Sequence, residues 1–178
     1  VLLTGFLHNV LSVVTLELQW LIDIFSVAVL YRALYYTFDR FIWKWSLLRK
    51  LGIVTVPDLN GMWKGRVTSS YKSDDNTYSI SVVITQQWSK ILIQLHTDKS
   101  YSKSITASFL PNDSTSPELV YVYESDPNAL APKSMESHGG TAKLRLEGST
   151  LRGQYYTGRG RGTIGDIVLE CSKDNKSQ

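Results

Sequence analysis

The sequence predicts an N-terminal transmembrane α-helical hairpin joined to an all-β domain, an eight-stranded up-and-down β-barrel. Three observations carry this expectation. From Val1 to Phe38 the chain is almost continuously apolar, from Leu59 onward it breaks into short alternating stretches rich in Ser, Thr and Tyr, and a cluster of basic and aromatic residues lies between. The parts divide as residues 1–56 and 57–178.

Two runs build the expected anchor. Leu2 to Leu16 is apolar apart from Thr4, Gly5, His8, Asn9, Ser12 and Thr15, and Leu21 to Phe38 carries Asp23 and Arg32. Glu17-Leu18-Gln19-Trp20 separates them. A charge at the bilayer centre costs at least about 2.5 kcal/mol, so Glu17 and Gln19 belong in a polar turn at the membrane surface. A span needs roughly 20 residues. The first run is shorter and starts at Val1 without an initiator Met, so residues are expected to be missing ahead of it.

Arg40, Lys44, Arg49 and Lys50 follow the second run, interleaved with Phe41, Trp43 and Trp45. This is the positive-inside signal beside an aromatic belt, which puts the β domain in the cytoplasm. Glu17, Asp23, Arg32, Trp43 and Trp45 are the expected membrane residues. The single cysteine, Cys171, agrees, because it cannot form an internal disulfide. A cleaved signal peptide competes, but neither a basic start nor a small-residue cleavage site precedes the aromatic-basic segment. A buried core hairpin is the other competitor.

Pro57 disfavours helix in the residue before it, so helix ends ahead of this point. From Asp58 there are 121 residues, enough for one domain and one core. Period-2 alternation predicts eight strands: Leu59 to Tyr71, Thr77 to Gln87, Lys90 to Thr97, Ser100 to Leu110, Glu118 to Ser125, Thr141 to Glu147, Thr150 to Thr157 and Thr163 to Ser172. Asp74-Asp75-Asn76, Asp98-Lys99, Gly148-Ser149 and the run from Gly158 to Gly162 are turn material. Pro111 to Pro117 and Asp126 to Gly140 are longer, the second long enough for a flap. Short antiparallel connections favour a barrel, whose closure removes exposed edges, with a sandwich as second choice.

Alternation also chooses the inward side chains. Gly61, Trp63, Gly65, Val67, Ser69 and Tyr71 share a face of the first strand; Ile80, Val82, Ile84 and Gln86 line the second. Leu119, Tyr121 and Tyr123 line the fifth, and Leu151, Gly153, Tyr155 and Thr157 the seventh. These rows begin apolar and end polar. In a barrel able to hold one small ligand, they make a hydrophobic floor and a hydrogen-bonding mouth.

Nothing in the sequence points to catalysis. His8, His96 and His138 lie in different elements without metal-ligand spacing, and there is no nucleophile elbow, Walker loop or local Cys–His pairing. A binding domain without cofactor or metal is expected. Its most pointed feature is Gly153-Gln154-Tyr155-Tyr156-Thr157-Gly158-Arg159-Gly160-Arg161-Gly162. Arg159 and Arg161 between glycines offer planar, phosphate-matching donors, with Tyr155 and Tyr156 beside them for base stacking. Tyr71, Tyr121, Tyr123, Tyr155, Tyr156, Thr157, Arg159 and Arg161 are therefore the candidate ligand-binding residues. A solvated hairpin using Gly for positive φ is the competing reading. Beyond Val56 there are 14 Lys and Arg against 13 Asp and Glu. That balance argues against a DNA or long-RNA binder and leaves room for a small focal phosphate site.

The organisation resembles a known family. Two apolar runs, the junction Phe38-Asp39-Arg40-Phe41-Ile42-Trp43-Lys44-Trp45, and Pro57-Asp58-Leu59-Asn60-Gly61-Met62-Trp63-Lys64-Gly65 opening a β-rich domain look like the two-transmembrane β-barrel effectors associated with bacterial CD-NTases. Those proteins serve cyclic-oligonucleotide-based anti-phage defence (CBASS), and the likeness covers essentially the whole chain. It implies a minimal lipocalin-like barrel that binds a cyclic dinucleotide and triggers assembly of a homo-oligomer. Disruption of the inner-membrane lipid bilayer and abortive infection would follow.

On that view two short helices are too few to enclose a pore, so several chains must come together. Asp23 and Arg32 are about 13 Å apart along a helix, which suits pairing between helices, with snorkelling of Arg32 as the alternative. A membrane-tethered carrier or sensor of an apolar molecule, with Trp63, Val82 and Ile84 as its working floor, remains as the second function. A structural membrane-interaction module is the third.

Overall fold

The computed structural model describes residues 23–70, 76–110, 116–129, 131, 136–158 and 161–172. Two compact units are present, Val1–Leu48 and Arg49–Gln178, so the second takes in the segment ahead of Pro57.

In the first unit residues 23–40 form one helix, α1. The hydroxyl of Thr37 donates to the Ala33 carbonyl at 2.7 Å, and Arg40 stacks 5.1 Å over the Tyr36 ring. Asp23 and Arg32 are both exposed on it. With Asp39 and Arg40 they interrupt its apolar run, and among the described residues no helix is long and apolar enough to cross a membrane. The expected first span, with Glu17 and the polar turn, lies outside the described residues. A 3-10 turn, Ile42–Lys44, follows, and Trp43 in it is 0% exposed. Trp45, at 56%, is the one of the expected belt pair that presents its ring. Helix α2, Ser46–Lys50, stops at Gly52, whose φ of 72° only glycine adopts readily and whose amide donates back to the Arg49 carbonyl.

The second unit is the barrel. Its strands are β1 Gly61–Ser69, β2 Thr77–Gln86, β3 Ile91–His96, β4 Ser100–Leu110, β5 Glu118–Pro127, β6 His138–Glu147, β7 Thr150–Thr157 and β8 Ile164–Ser172. Each pairs antiparallel with its sequence neighbours, and β8 closes on β1 from Met62 opposite Ser172 to Ser69 opposite Gly165. The up-and-down order is as expected. Short turns force consecutive strands to be neighbours, and closure satisfies both edges at once.

Differences from expectation lie at strand ends. The first strand starts at Gly61 rather than Leu59, because Leu59 has another task. Its amide donates to Gln86 Oε1 at 2.8 Å, its carbonyl accepts from the Trp63 indole at 2.9 Å, and Gln86 Nε2 donates to the Pro57 carbonyl at 3.0 Å. Asn60 clamps the same residue from its other side, accepting from Gln86 N and donating to Gln86 O. Leu59, 2% exposed, is thereby pinned as a plug across the floor.

The expected flap is shorter than Asp126 to Gly140. Strand β5 runs on to Pro127, and β6 begins at His138, where Gly139 and Gly140 pair with Glu124 and Tyr123. Two adjacent glycines read as a turn, but Gly140 serves close packing: a Cβ there would run into the Tyr123 hydroxyl and ring. Between β3 and β4 the ladder spans Gln94–His96 against Tyr101–Lys103, and in the pairing of β4 with β5 a bulge extrudes Ile105. There Ser104 Oγ stands in for a backbone acceptor, taking the Ile93 amide at 2.9 Å.

Inside, the expected rows turn toward the core from Trp63 to Ser69, Ile80 to Gln86, Leu119 to Tyr123 and Leu151 to Thr157, whereas Gly61 is exposed and Tyr71 lies outside the described residues. Trp63, Ile80, Val82, Ile84, Ile93, Leu119, Tyr121, Tyr123, Ala142, Leu144, Leu151, Ile167 and Leu169 pack into one buried cluster with Leu59. Eight strands enclose a space that side chains of this size just fill. The floor is a packed core rather than a ligand cavity.

Candidate functional site

At the end of the barrel where β1, β3, β5 and β7 finish and β2, β4, β6 and β8 begin, the inward residues become polar. Ser69, Ser100, Ser104, Ser125, Thr157 and Thr163 are all buried, each less than a tenth exposed. Toward this end the apolar cluster includes Tyr123, and Tyr155 packs against it. Space for the Tyr155 ring comes from Gly165, where a Cβ would lie 2.6 Å from Tyr155 Cε1.

The predicted residues separate on this frame. Tyr121 lies within the core, 5% exposed, its ring centroid 6.1 Å from that of Tyr123. Burial pushes both hydroxyls well above the ordinary tyrosine range, so each stays protonated as a donor; for Tyr123 the neighbouring Tyr155 adds to the effect and Arg161 opposes it. Tyr121 supports the mouth from beneath. Thr157 is committed to the turn: its Oγ1 accepts the Thr163 amide at 2.8 Å and meets the Thr163 hydroxyl at 3.0 Å. Tyr156 is placed apart from the other described tyrosines of this set. It pairs with the outward Thr141 and Ile164, is 54% exposed, and faces away from the interior that Tyr155 and Thr157 face. Tyr71 and Arg159 lie outside the described residues.

Arg161 is held at the rim by the β7–β8 turn, where its amide and that of Gly162 both donate to the Gly158 carbonyl and Gly162 takes a φ of 59°. The glycine requirement of the turn and the placement of an arginine at the mouth are thus satisfied by one segment. Its guanidinium Nη1 lies 3.2 Å and 3.3 Å from the two ring nitrogens of His138. Sequence reasoning missed His138 as a site residue, because β6 was expected to start at Thr141. The register supplies the signal, since His138 sits opposite buried Ser125 and in phase with inward Gly140, Ala142 and Leu144. Burial holds the His138 imidazole below its usual range and Arg161 adds to this, while the Glu136 carbonyl and Asp126 pull the other way.

The outer wall carries further polar groups. Pairing of β2 with β3 begins at Ser81 opposite His96, leaving Thr77–Ile80 past the end of β3. A groove of about 480 Å³ opens there, lined by Lys64, Ser79, Ser81, His96, Thr97 and Asp98. Glu118 bridges Lys143 and Arg145 at 2.8 Å each, on the face away from the core.

A closed eight-stranded barrel, solid within and lined at one mouth by hydroxyls, tyrosines and an arginine–histidine pair, is the architecture of a small β-barrel receptor domain. The chain belongs to the Cap15 family: residues 54–171 match its cyclic dinucleotide receptor domain. It is similar to the CD-NTase-associated protein 15 of Yersinia aleksiciae, at 32% identity over 83% of this chain and 70% of that protein. It is also similar to that of Staphylococcus schleiferi, at 30% over 76% and 71%, and that of Escherichia albertii, at 24% over 78% and 74%.

Proposed function

We propose that the chain is a membrane-anchored receptor of bacterial anti-phage defence whose barrel mouth binds a cyclic dinucleotide. Binding would draw the N-terminal helices of several copies together and disrupt the inner membrane, killing the infected cell. The observation that carries this reading is the contact of Arg161 with His138 at the rim of a filled barrel. A ligand held there meets guanidinium, imidazole and hydroxyl donors and the Tyr123 and Tyr155 rings, which suits a phosphodiester ring bearing bases. The family's description as a cyclic dinucleotide receptor domain supports the same ligand. An apolar carrier is disfavoured because Trp63, Val82 and Ile84, its working floor, already fill the space it would need.

On this reading the protein is not an enzyme and uses no cofactor or metal, and its near-neutral barrel is not a DNA or long-RNA binder. The apolar runs of residues 1–38 form the multi-pass anchor, and Arg40, Lys44, Arg49 and Lys50 keep the barrel on the cytoplasmic side, where the nucleotide is made. Ligand promotes association only so far as it binds the associated state more tightly than the separate one.

The deciding experiment is calorimetry of the full chain in detergent against cyclic di-AMP, cyclic di-GMP, cyclic di-UMP and a long-chain fatty acid. Binding of a cyclic dinucleotide is expected. Binding of the fatty acid alone would replace this reading with the carrier.

A further inference from the structure

We propose that His138 is a proton-linked partner of Arg161: it takes up a proton when a phosphodiester occupies the mouth, so that the barrel's affinity for its nucleotide rises as pH falls. The proposal rests on the phosphodiester reading above and adds to it a residue, a protonation step and a regulation.

The hydrogen bonds fix the starting state. His138 Nδ1 is 3.1 Å from the Glu136 carbonyl, an oxygen that can only accept, so Nδ1 carries a proton. Arg161 Nη1, a donor under all conditions, lies against the ring at 3.2 Å from Nδ1 and 3.3 Å from Nε2. With Nδ1–H directed at the Glu136 carbonyl, a permanently charged guanidinium this close favours the neutral imidazole, whose Nε2 keeps its lone pair. Protonation of Nε2 would set two donors and two positive charges face to face.

An anion reverses this balance. A non-bridging phosphate oxygen between the groups accepts from Nη1–H and from Nε2–H together, and its negative charge favours the imidazolium. Among the described residues, the charged and titratable groups that act on His138 are these. Arg161 comes from the β7–β8 turn and opposes protonation, Asp126 at the end of β5 favours it, and Glu136 contributes its carbonyl. Tyr123, also on β5 and near Arg161, stays neutral because burial raises its hydroxyl. A phosphodiester adds its negative charge to that of Asp126 on the side that favours the imidazolium. Between the midpoints of the free and occupied imidazole, affinity should change by up to about tenfold per pH unit. Below the lower midpoint and above the higher one it should be flat.

The test is calorimetry of the full chain with cyclic di-AMP, cyclic di-GMP and cyclic di-UMP near neutral pH, in two buffers of different ionisation enthalpy. The difference in heat counts protons taken up. Uptake by the unmutated chain that is lost in His138→Gln at the pH values where that variant binds is the expected result. Equal heats in both buffers, or uptake that persists in His138→Gln, would overturn the proposal while leaving the receptor reading intact. Absence of binding by all three at every pH would remove the receptor reading, and the proposal with it. A magnetic-resonance titration of the His138 ring in the unmutated chain reads the same event if the variant does not fold: the midpoint must move up with nucleotide, and an unmoved or lowered midpoint overturns the proposal.

Discussion

The side-chain amide of Gln86 serves Leu59 as a strand partner would, accepting its backbone N–H at 2.8 Å while donating to the Pro57 carbonyl at 3.0 Å. Through this pair the segment entering the barrel is fastened to the last residue of β2, which is itself 3% exposed. Replacing Gln86 with Leu keeps the bulk and strips both backbone groups of their partners. Each buried group left unsatisfied costs about 1–3 kcal/mol, so Gln86→Leu should lower the barrel's stability by about 2–4 kcal/mol. Chemical denaturation of the full chain, followed by tryptophan fluorescence, measures it. A loss of under about 0.5 kcal/mol, typical of inconsequential surface changes, would mean that the clamp is incidental.

That clamp also shows where the sequence stopped speaking. Alternation names the inward face of β1, β2, β5 and β7 correctly, because a half-buried strand must repeat every two residues and the core tolerates no slip. It cannot distinguish a strand residue from Leu59, which is apolar and in line with β1 yet bonded to a side chain from β2. It places Tyr155 inward and Tyr156 outward, and two adjacent tyrosines in a strand necessarily face opposite sides of the sheet. His138 was hidden for a different reason. Gly139-Gly140 looks like a turn, and only the close approach of the Tyr123 ring, a contact across strands, explains why glycines sit within β6. Partners distant in sequence leave no local period to read.

Arg161 should dominate ligand affinity among the rim residues. Charge-assisted hydrogen bonds contribute about 1.5–3 kcal/mol each, and about 1.4 kcal/mol is a factor of ten. Arg161→Ala should therefore weaken cyclic-dinucleotide binding at least tenfold, and Arg159→Ala in addition should weaken it further. Tyr156→Ala, altering an outward ring, should leave affinity within about twofold. Titration calorimetry of the three variants tests this. Unchanged affinity in Arg161→Ala would reduce the Gly/Arg segment to a turn.

The Glu118 bridge makes stability depend on acid. Hydrogen bonds from Lys143 and then Arg145 hold its carboxyl below the usual value of 4.5, against a smaller opposing effect of burial. A depressed folded-state pKa contributes stability that is fully present above the unfolded value and is lost as pH falls through the folded one. Wild type should accordingly melt above Glu118→Gln at neutral pH, and the gap should close as pH falls through and below about 4.5. Melting curves of both chains across that range decide it. A gap that does not narrow in acid would mean that the carboxylate's charge is not what the bridge contributes.

The proposed division of labour between barrel and helices predicts separable defects. Removing residues 1–48 takes away the first compact unit and keeps Val54, Pro57 and the Leu59–Gln86 clamp, so the remainder should still bind nucleotide. In cells making the nucleotide signal it should not admit a membrane-impermeant dye, because nothing is left to damage the bilayer. Asp23→Leu and Arg32→Leu each remove a charge that is costly in hydrocarbon, so both should insert at least as well as wild type. If the two charges meet across helices in the assembly, either change leaves a partner unmatched, and dye uptake should fall. Dye uptake driven by the chain lacking residues 1–48 would overturn the assignment of killing to the helices. Uptake unchanged in both Leu variants would overturn the pairing of Asp23 with Arg32 and leave that assignment standing.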